Sequence, residues 1–348
     1  MVSTGMVNFF ESQNHCYLIA EIGVNHNGDM ALARQMIDAA KDAGADAVKF
    51  QTFTAAQLVS QGTPKVRYQE STTSPNESHF QMIQNLELKR EDHGPLKAYC
   101  EKKDIEFLST PYDIESAMFL DSLGVRFFKT ASADIVDLPL QQFLASTKKP
   151  SIVSVGMATL GEVEAVVDVY REAGNEQLIL LHCVSNYPCA DESLNLEVMR
   201  TLAQAFRVPV GYSDHSVGPE AAILSISLGA KVIEKHFTLD KDLPGPDHRA
   251  SSTPEEFKAL VNSVRRAEKM LGSGAKRCQA EEMQMAQVSR KSLVLAQGIP
   301  AGEVITREHL TLKRPGTGLN SQYMKHFIGR KAAVALAAGK MLELSDVV

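Results

Sequence analysis

Val232-Ile-Glu-Lys-His-Phe-Thr238 is a short apolar run whose end is crowded with groups that do chemistry. Seven other runs share that form: Leu18–Gly23 (LIAEIG), Ala47–Thr52 (AVKFQT), Phe107–Pro111 (FLSTP), Phe127–Ser132 (FFKTAS), Ile152–Gly156 (IVSVG), Leu178–Val184 (LILLHCV) and Val210–Asp214 (VGYSD). Most are separated by helix-type sequence. Continuous apolar runs alternating with amphipathic helices indicate parallel strands buried on both faces. Eight such units predict an α/β fold with one closed (β/α)8 TIM barrel, whose active site lies at the C-terminal ends of its strands. Glu21, Lys49, Gln51, Thr110, Lys129, Ser132, Ser154, His182, Ser213, His215, Glu234 and His236 then converge on one mouth.

Working outward, residues 1–16 read as an N-terminal extension and residues 17–271 as the barrel. Helical spacing is clear in Asp29–Ala43, Leu160–Ala173, Leu194–Phe206, Pro219–Leu228 and Pro254–Leu271. The stretch from Thr54 to about His93 is the longest insertion, with the turn-prone STTSPNES followed by an amphipathic segment around Phe80–Leu88. Long loops on this face of a barrel carry function. Residues 272–287 read as a linker. Residues 288–348 turn to short strands and turns, a small β-rich domain in which Ile299-Pro-Ala-Gly-Glu and Leu336-Ala-Ala-Gly-Lys form a faint repeat.

The chain has 348 residues, 44% hydrophobic and 22% charged, with a formal net charge of -6. That composition fits a globular domain and argues against nucleic-acid binding, which draws on a basic face. No apolar run approaches the ~20 residues of a membrane span, and no signal peptide is read. The five cysteines include no CxxC pair, which points to reduced thiols and the cytoplasm. Cys183, ending an apolar strand, reads as a small buried hydrophobe.

Several groupings carry chemistry, each beside a plainer reading. His215 and His236 fall at the ends of adjacent strands seven and eight, close enough to share a divalent ion; the alternative is two hydrogen-bonded structural histidines. Lys49 and Lys129 with the hydroxyls of Thr110, Ser132, Ser154, Ser185 and Ser213 supply charge-assisted donors to a phosphate or carboxylate; the alternative pairs each lysine with Glu21 or Glu234. Glu21 can serve as an acid or base, whereas the Asn25-His26-Asn27-Gly28 that follows is an ordinary turn signal. Asp247, in the proline-stiffened LPGPDH, is either aimed at a sugar hydroxyl or solvated on a surface loop. Arg314, in Lys313-Arg-Pro-Gly-Thr-Gly318, is either a binding arm or part of a solvated turn.

With these residues placed, IAEIGVNHNGD (19–29), GADAVKFQTF (44–53), FLSTPYD (107–113), LLHCVSNYP (180–188), GYSDHS (211–216), VIEKHFTLD (232–240) and GPDHRAS (245–251) resemble, in order, the bacterial N-acetylneuraminate (sialic acid) synthases. RKSLV (290–294) and KRPGTGL (313–319) are similar to that family's C-terminal antifreeze-like (SAF) domain. The family includes synthases for legionaminic and pseudaminic acids; the pseudaminic type tends to lack the Gly-Val-Asn form of the first motif and fits less well.

The resemblance implies condensation of phosphoenolpyruvate with an N-acylated hexose and water, giving a nine-carbon 2-keto acid and phosphate. The sugar is N-acetylmannosamine, with N-acetylneuraminate as product; the alternative is 2,4-diacetamido-2,4,6-trideoxy-mannose, giving N,N'-diacetyllegionaminate. It implies a divalent metal on His215 and His236, Mn(II) before Mg or Co. Lys49, Thr110, Lys129, Ser132, Ser154, Ser185 and Ser213 take phosphoenolpyruvate contacts, although several relatives differ at the Ser185 position. Glu21 and Glu234 take proton-transfer roles, and Gln51, Tyr187 and Asp247 contact the sugar. Arg314 maps onto an arginine that reaches the sugar's N-acyl group from the partner subunit, which implies a domain-swapped homodimer. Two rivals stand against this reading: another phosphoenolpyruvate-condensing barrel making a shorter sugar acid, and a non-catalytic carbohydrate- or ice-binding protein. The first is not expected to carry the C-terminal domain, and ice binding wants a flat apolar face.

Overall fold

Strands β1 (Tyr17–Gly23), β2 (Ala47–Thr52), β3 (Glu106–Pro111), β4 (Phe128–Thr130), β5 (Ser151–Ser154), β6 (Leu178–Cys183), β7 (Val210–Asp214) and β8 (Val232–His236) form one parallel sheet in the order β3-β2-β1-β8-β7-β6-β5-β4. β3 packs against β4, which closes the sheet into a barrel. The computed structural model of the protein describes residues 9, 10 and 15–348. The chain divides into two units, one running to Gly272 and the other Ser273–Val348.

One main helix follows each strand: α1 (Met30–Ala43), α2 (Arg90–Lys102), α3 (Ile114–Ser122), α4 (Leu138–Ser146), α5 (Leu160–Glu172), α6 (Val198–Phe206), α7 (Glu220–Ser227) and α8 (Pro254–Leu271). Their starts follow local chemistry. Asp29 caps α1 through its side chain, and Thr159 and Thr253 form capping boxes with Glu162 and Glu256 at α5 and α8. Such caps satisfy amide groups that lack helical partners. The expected start of α6 at Leu194 is not observed. Asp191–Ser193 is a short 3-10 turn, and the α-helix begins at Val198.

Strand side chains alternate between two environments, as the period of two requires. Leu18, Ala20, Val48, Phe50, Phe128, Val153, Leu180, Tyr212 and Ile233 point outward into the shell packed by the helices. Tyr17, Ile19, Ala47, Leu108, Phe127, Ile152, Ile179, Leu181 and Val232 point inward and fill the lower barrel, where Phe10 is also fully buried. The next inward positions are polar on every strand but β6, where Cys183 stands, so the packed floor gives way to a chemical mouth. The rest of the expected N-terminal extension, residues 1–8 and 11–14, lies outside the described residues.

The second unit pairs β9 (Ser292–Leu295) with β10 (Leu310–Lys313) antiparallel around a small core of Leu293, Leu295, Ile299, Ile305, Leu310, Phe327, Leu336 and Leu342. The two similar turns face each other: Ile299 and Leu336 form an antiparallel bridge. Gly302 and Gly339 take φ of 80° and 79°, the left-handed conformation that glycine adopts without a Cβ penalty. Met283–Ser289, which starts in the stretch read as a linker and runs past its expected end at residue 287, forms a short helix whose Met283, Met285 and Val288 are exposed.

Candidate active site

The inward-facing ends of the barrel strands enclose a cavity of about 440 Å³. Glu21, Lys49, Gln51, Lys129, Ser132, Ser154, Ser185, Tyr187, Ser213, His215, Glu234, His236 and Asp247 line it. Two residues expected at the mouth stand elsewhere. His182 precedes the inward Cys183 on β6 and so faces outward, where its Nε2 pairs with the Leu194 carbonyl at 2.7 Å and its ring stacks on Tyr212. Thr110 does not line the cavity; it stands behind Lys49 and accepts a hydrogen bond from its Nζ at 3.0 Å. Arg314 lies in the second unit, exposed and just past β10.

The four charged groups at the floor are buried and paired. Lys49 Nζ is 2.7 Å from Glu21 Oε2 and 3.8 Å from Glu234 Oε2, and Lys129 Nζ is 3.5 Å from Glu234 Oε1. The ion pairs that are the alternative to a ligand role are therefore present. They also hold both ammonium groups at the cavity surface, ready to exchange partners. Lys129 Nζ further donates to Ser154 Oγ at 2.7 Å and to the Thr130 carbonyl at 2.9 Å, and Ser213 Oγ donates to Glu234 Oε1 at 3.0 Å.

Position within this cluster separates the two carboxylates. Burial raises Glu21 above the ordinary carboxylate range, with Lys49 opposing and Glu234 adding repulsion. Burial works on Glu234 too, but Lys129 and Lys49 outweigh it and hold its carboxyl low. Like groups driven apart by their surroundings mark an acid and a base. Burial pulls Lys129 down, while Glu21 and Glu234 overcome burial at Lys49 and carry it up. Asp247, half-buried at the rim, is raised to about 6 by burial, with His215 opposing.

His215 and His236 face each other with ring centroids 5.4 Å apart, and the Tyr187 ring lies 4.1 Å from one and 5.4 Å from the other. His215 Nδ1 is 2.9 Å from the Val184 carbonyl. That contact fixes the proton on Nδ1 and leaves Nε2 as a lone-pair donor. His236 is buried, its Nδ1 has no hydrogen-bond partner, and burial followed by repulsion from His215 and Lys49 keeps it neutral. Two facing imidazoles, each able to present a ring nitrogen once unprotonated, suit a divalent transition ion. Among the described residues no group of three or more His, Cys, Asp or Glu could hold a metal, so this pair would leave the remaining coordination positions to substrate and water.

Some wall residues escape a sequence reading. Cys183, read as a buried hydrophobe, is buried but lines the cavity with its Sγ 3.6 Å from His215 Nδ1. Its inward phase on β6 was the available signal. Gly156 brings its amide to Ser132 Oγ at 3.0 Å, and a Cβ there would fall 2.6 Å from Ser185 Oγ and 2.7 Å from Ser132 Oγ. This backbone position is therefore part of the hydroxyl cradle. Phe53, Leu58, Met82, Ile83 and Leu86 add an apolar wall, and nothing in their sequence marks it as more than core.

Comparison with known proteins identifies the family. Residues 36–276 match the NeuB family and residues 290–348 the SAF domain. The chain is 45% identical to the N,N'-diacetyllegionaminic acid synthase of Legionella pneumophila, over 94% of this chain and 93% of that protein. It is 43% identical to the N,N'-diacetyllegionaminic acid synthase of Campylobacter jejuni, over 90% and 95%. Among solved structures, the sialic acid synthetase of Leptospira borgpetersenii, crystallised with citrate, superposes with a TM-score of 0.69 at 36% identity, covering 78% of this chain and 90% of that one. The barrel with its paired lysines and facing histidines, the second unit and these likenesses together place the chain in the NeuB family, as a TIM barrel followed by a SAF domain.

Proposed function

We propose that this protein condenses phosphoenolpyruvate with an N-acylated hexose and water to give a nine-carbon 2-keto acid and phosphate. The observation that carries the reading is the meeting, in one cavity, of two buried lysines, two facing imidazoles and two carboxylates of opposed acidity. Lys49 and Lys129, with Ser132, Ser154, Ser185 and Ser213, bind the phosphate and carboxylate of phosphoenolpyruvate, while Thr110 steadies Lys49 from behind. Gln51, Tyr187 and Asp247 orient the open-chain sugar.

A divalent ion on His215 and His236, which we take as Mn(II), would act as a Lewis acid toward the aldehyde oxygen. Carbon C3 of phosphoenolpyruvate bonds to the aldehyde carbon. Glu21, raised by burial, holds a proton to give to the oxygen that becomes a hydroxyl. Glu234, kept anionic by its lysines, accepts a proton from the water that adds to C2. The C2–O bond then breaks, and phosphate leaves with the bridging oxygen.

One candidate sugar is N-acetylmannosamine. The alternative, 2,4-diacetamido-2,4,6-trideoxy-mannose, is favoured by the names of the 45% and 43% identical relatives, both N,N'-diacetyllegionaminic acid synthases. Arg314 is proposed to reach a sugar bound in the partner's barrel, in a domain-swapped homodimer. The five free cysteines support a reducing, cytoplasmic setting. Among the described residues, no helix is long and apolar enough to cross a membrane.

The test is phosphate release from phosphoenolpyruvate labelled with heavy oxygen at the bridge, with each sugar and with none, and mass detection of the product. Sugar-dependent release of labelled phosphate is expected. Release without sugar, or unlabelled phosphate, refutes the reaction.

A further inference from the structure

The cavity has two chemically different sides. Glu21, Lys49, Lys129, Glu234 and the facing histidines make one; Phe53, Leu58, Met82, Ile83 and Leu86 make the other. These five form one apolar cluster with Val24 and Tyr112, and the rings of Phe53 and Tyr112 meet edge-on at 5.8 Å. The anchoring residues Val24, Phe53 and Tyr112 come directly after β1, β2 and β3. The remainder comes from the insertion between β2 and α2, where Leu58 ends the helix Ala55–Leu58 and Met82 and Ile83 sit on the helix His79–Asn85. Met82 and Leu86 are buried, while Leu58 and Ile83 are half-buried cavity walls. Gln69 also lines the cavity at the edge of this wall, its Oε1 accepting from the Val66 amide at 3.1 Å.

We propose that this wall reads the sugar: it takes the apolar end of the hexose, a C6 methyl together with an acylamino methyl, and discriminates against a C6 hydroxymethyl. The inference rests on the function proposed above. The aldehyde carbon is fixed on the polar side, beside the imidazoles and Glu21. The other end of the six-carbon chain then extends across the cavity toward the insertion. A hydroxyl pressed against the side chains of Phe53, Leu58, Met82, Ile83 and Leu86 loses water and finds no partner among them, whereas a methyl gains burial. An apolar surface rejects an added hydroxyl only moderately, by up to about 100-fold.

The experiment compares kcat/KM for 2,4-diacetamido-2,4,6-trideoxy-mannose and N-acetylmannosamine at saturating phosphoenolpyruvate and Mn(II), using the full chain. The expected preference for the deoxy sugar is about 10- to 100-fold. Leu58→Asn and Ile83→Asn should each cut that ratio at least about fivefold while the KM for phosphoenolpyruvate stays put; the loss of one favourable methyl contact sets that scale. Leu58→Met and Ile83→Val, which keep the wall apolar, should retain the preference and show that the cavity is intact. A wild-type ratio near one, or a ratio that survives both asparagine variants, overturns the role of the wall while leaving the reaction standing. Failure of the wild type to release phosphate with either sugar overturns the reaction itself, and the wall's role with it.

Discussion

Gly156→Ala should disable phosphoenolpyruvate binding while leaving the barrel folded. The new methyl would stand 2.6 Å from Ser185 Oγ, 2.7 Å from Ser132 Oγ and 3.1 Å from Ser132 Cβ. Gly156 does not have a positive φ, so alanine fits the backbone. The clash is relieved by turning the two hydroxyls aside, which also breaks the bond from the Gly156 amide to Ser132 Oγ. One neutral hydrogen bond is worth about 0.5–1.5 kcal/mol, so the melting temperature should fall by only a few degrees. Each hydroxyl donated to an anion is worth about 1.5–3 kcal/mol, so losing at least one costs about 10- to 100-fold in kcat/KM for phosphoenolpyruvate. The assay is phosphate release against phosphoenolpyruvate at saturating sugar, alongside thermal unfolding. Ser132→Ala should reproduce part of the loss and add little on top of Gly156→Ala, because both remove the same contact. A Gly156→Ala protein within about twofold of wild type in kcat/KM would refute the cradle, since the smallest loss foreseen is about tenfold.

Chelation should abolish turnover and Mn(II) restore it, but His236→Ala should not recover at Mn(II) levels that saturate the wild type; full activity of the chelated variant would remove the metal from these imidazoles. With Asp247 raised to about 6, kcat/KM for the sugar should rise with pH through that value if the carboxylate binds the sugar, and Asp247→Asn should lose that limb. The stability sign runs the other way: the folded state holds this proton more tightly than the unfolded chain, so Asp247 favours folding at low pH and that advantage is lost as pH rises from about 4 to about 6; above it, Asp247→Asn should melt no lower than wild type. Lys235→Met should cost about 3–5 kcal/mol in denaturant unfolding, because it strands the buried Asp214 carboxylate held 2.7 Å from Lys235 Nζ; a loss below about 1 kcal/mol would mean the Ser216 contacts to Asp214 suffice alone. Arg314→Ala should raise the sugar KM about 10- to 100-fold, and mixing it with His236→Ala subunits should restore activity; confirmed exchange without recovery counts against the swapped arrangement.

The barrel was legible because its signal is repeated. Eight apolar runs, each with a polar end, read the same way, and errors at single ends did not change the count. Phe127–Ser132 overshot: the strand stops at Thr130, and Ser132 opens a 3-10 turn. The site was legible where strand phase and residue type agreed, as for Lys49, Lys129, Ser213 and Glu234. It failed where type was weighed without phase. His182 is a catalytic residue type on an outward position, and Cys183 beside it is an apolar type on an inward one. The insertion was opaque for a different reason. Met82, Ile83 and Leu86 have the spacing of an ordinary buried helix face, and only the chain's return across the mouth makes that face a wall.

Phase also accounts for how the site is braced. On β7 and β8, Ser213 and His215 alternate with Asp214, and Glu234 and His236 flank Lys235. The inward residues face the cavity, so the outward pair must meet behind them, and Asp214 and Lys235 do so as a buried ion pair. Lys235 Nζ also donates to the Ser216 carbonyl, and Asp214 Oδ1 accepts from the Ser216 amide and hydroxyl. The residues on both sides of His215 are thereby tied to the strand that carries His236. A buried charge pair stabilises little over an apolar one, but it tolerates few alternative geometries. Charges of opposite sign at these two outward positions thus brace the two strand ends that carry the facing imidazoles, a task the inward residues, which line the cavity, could not do for themselves.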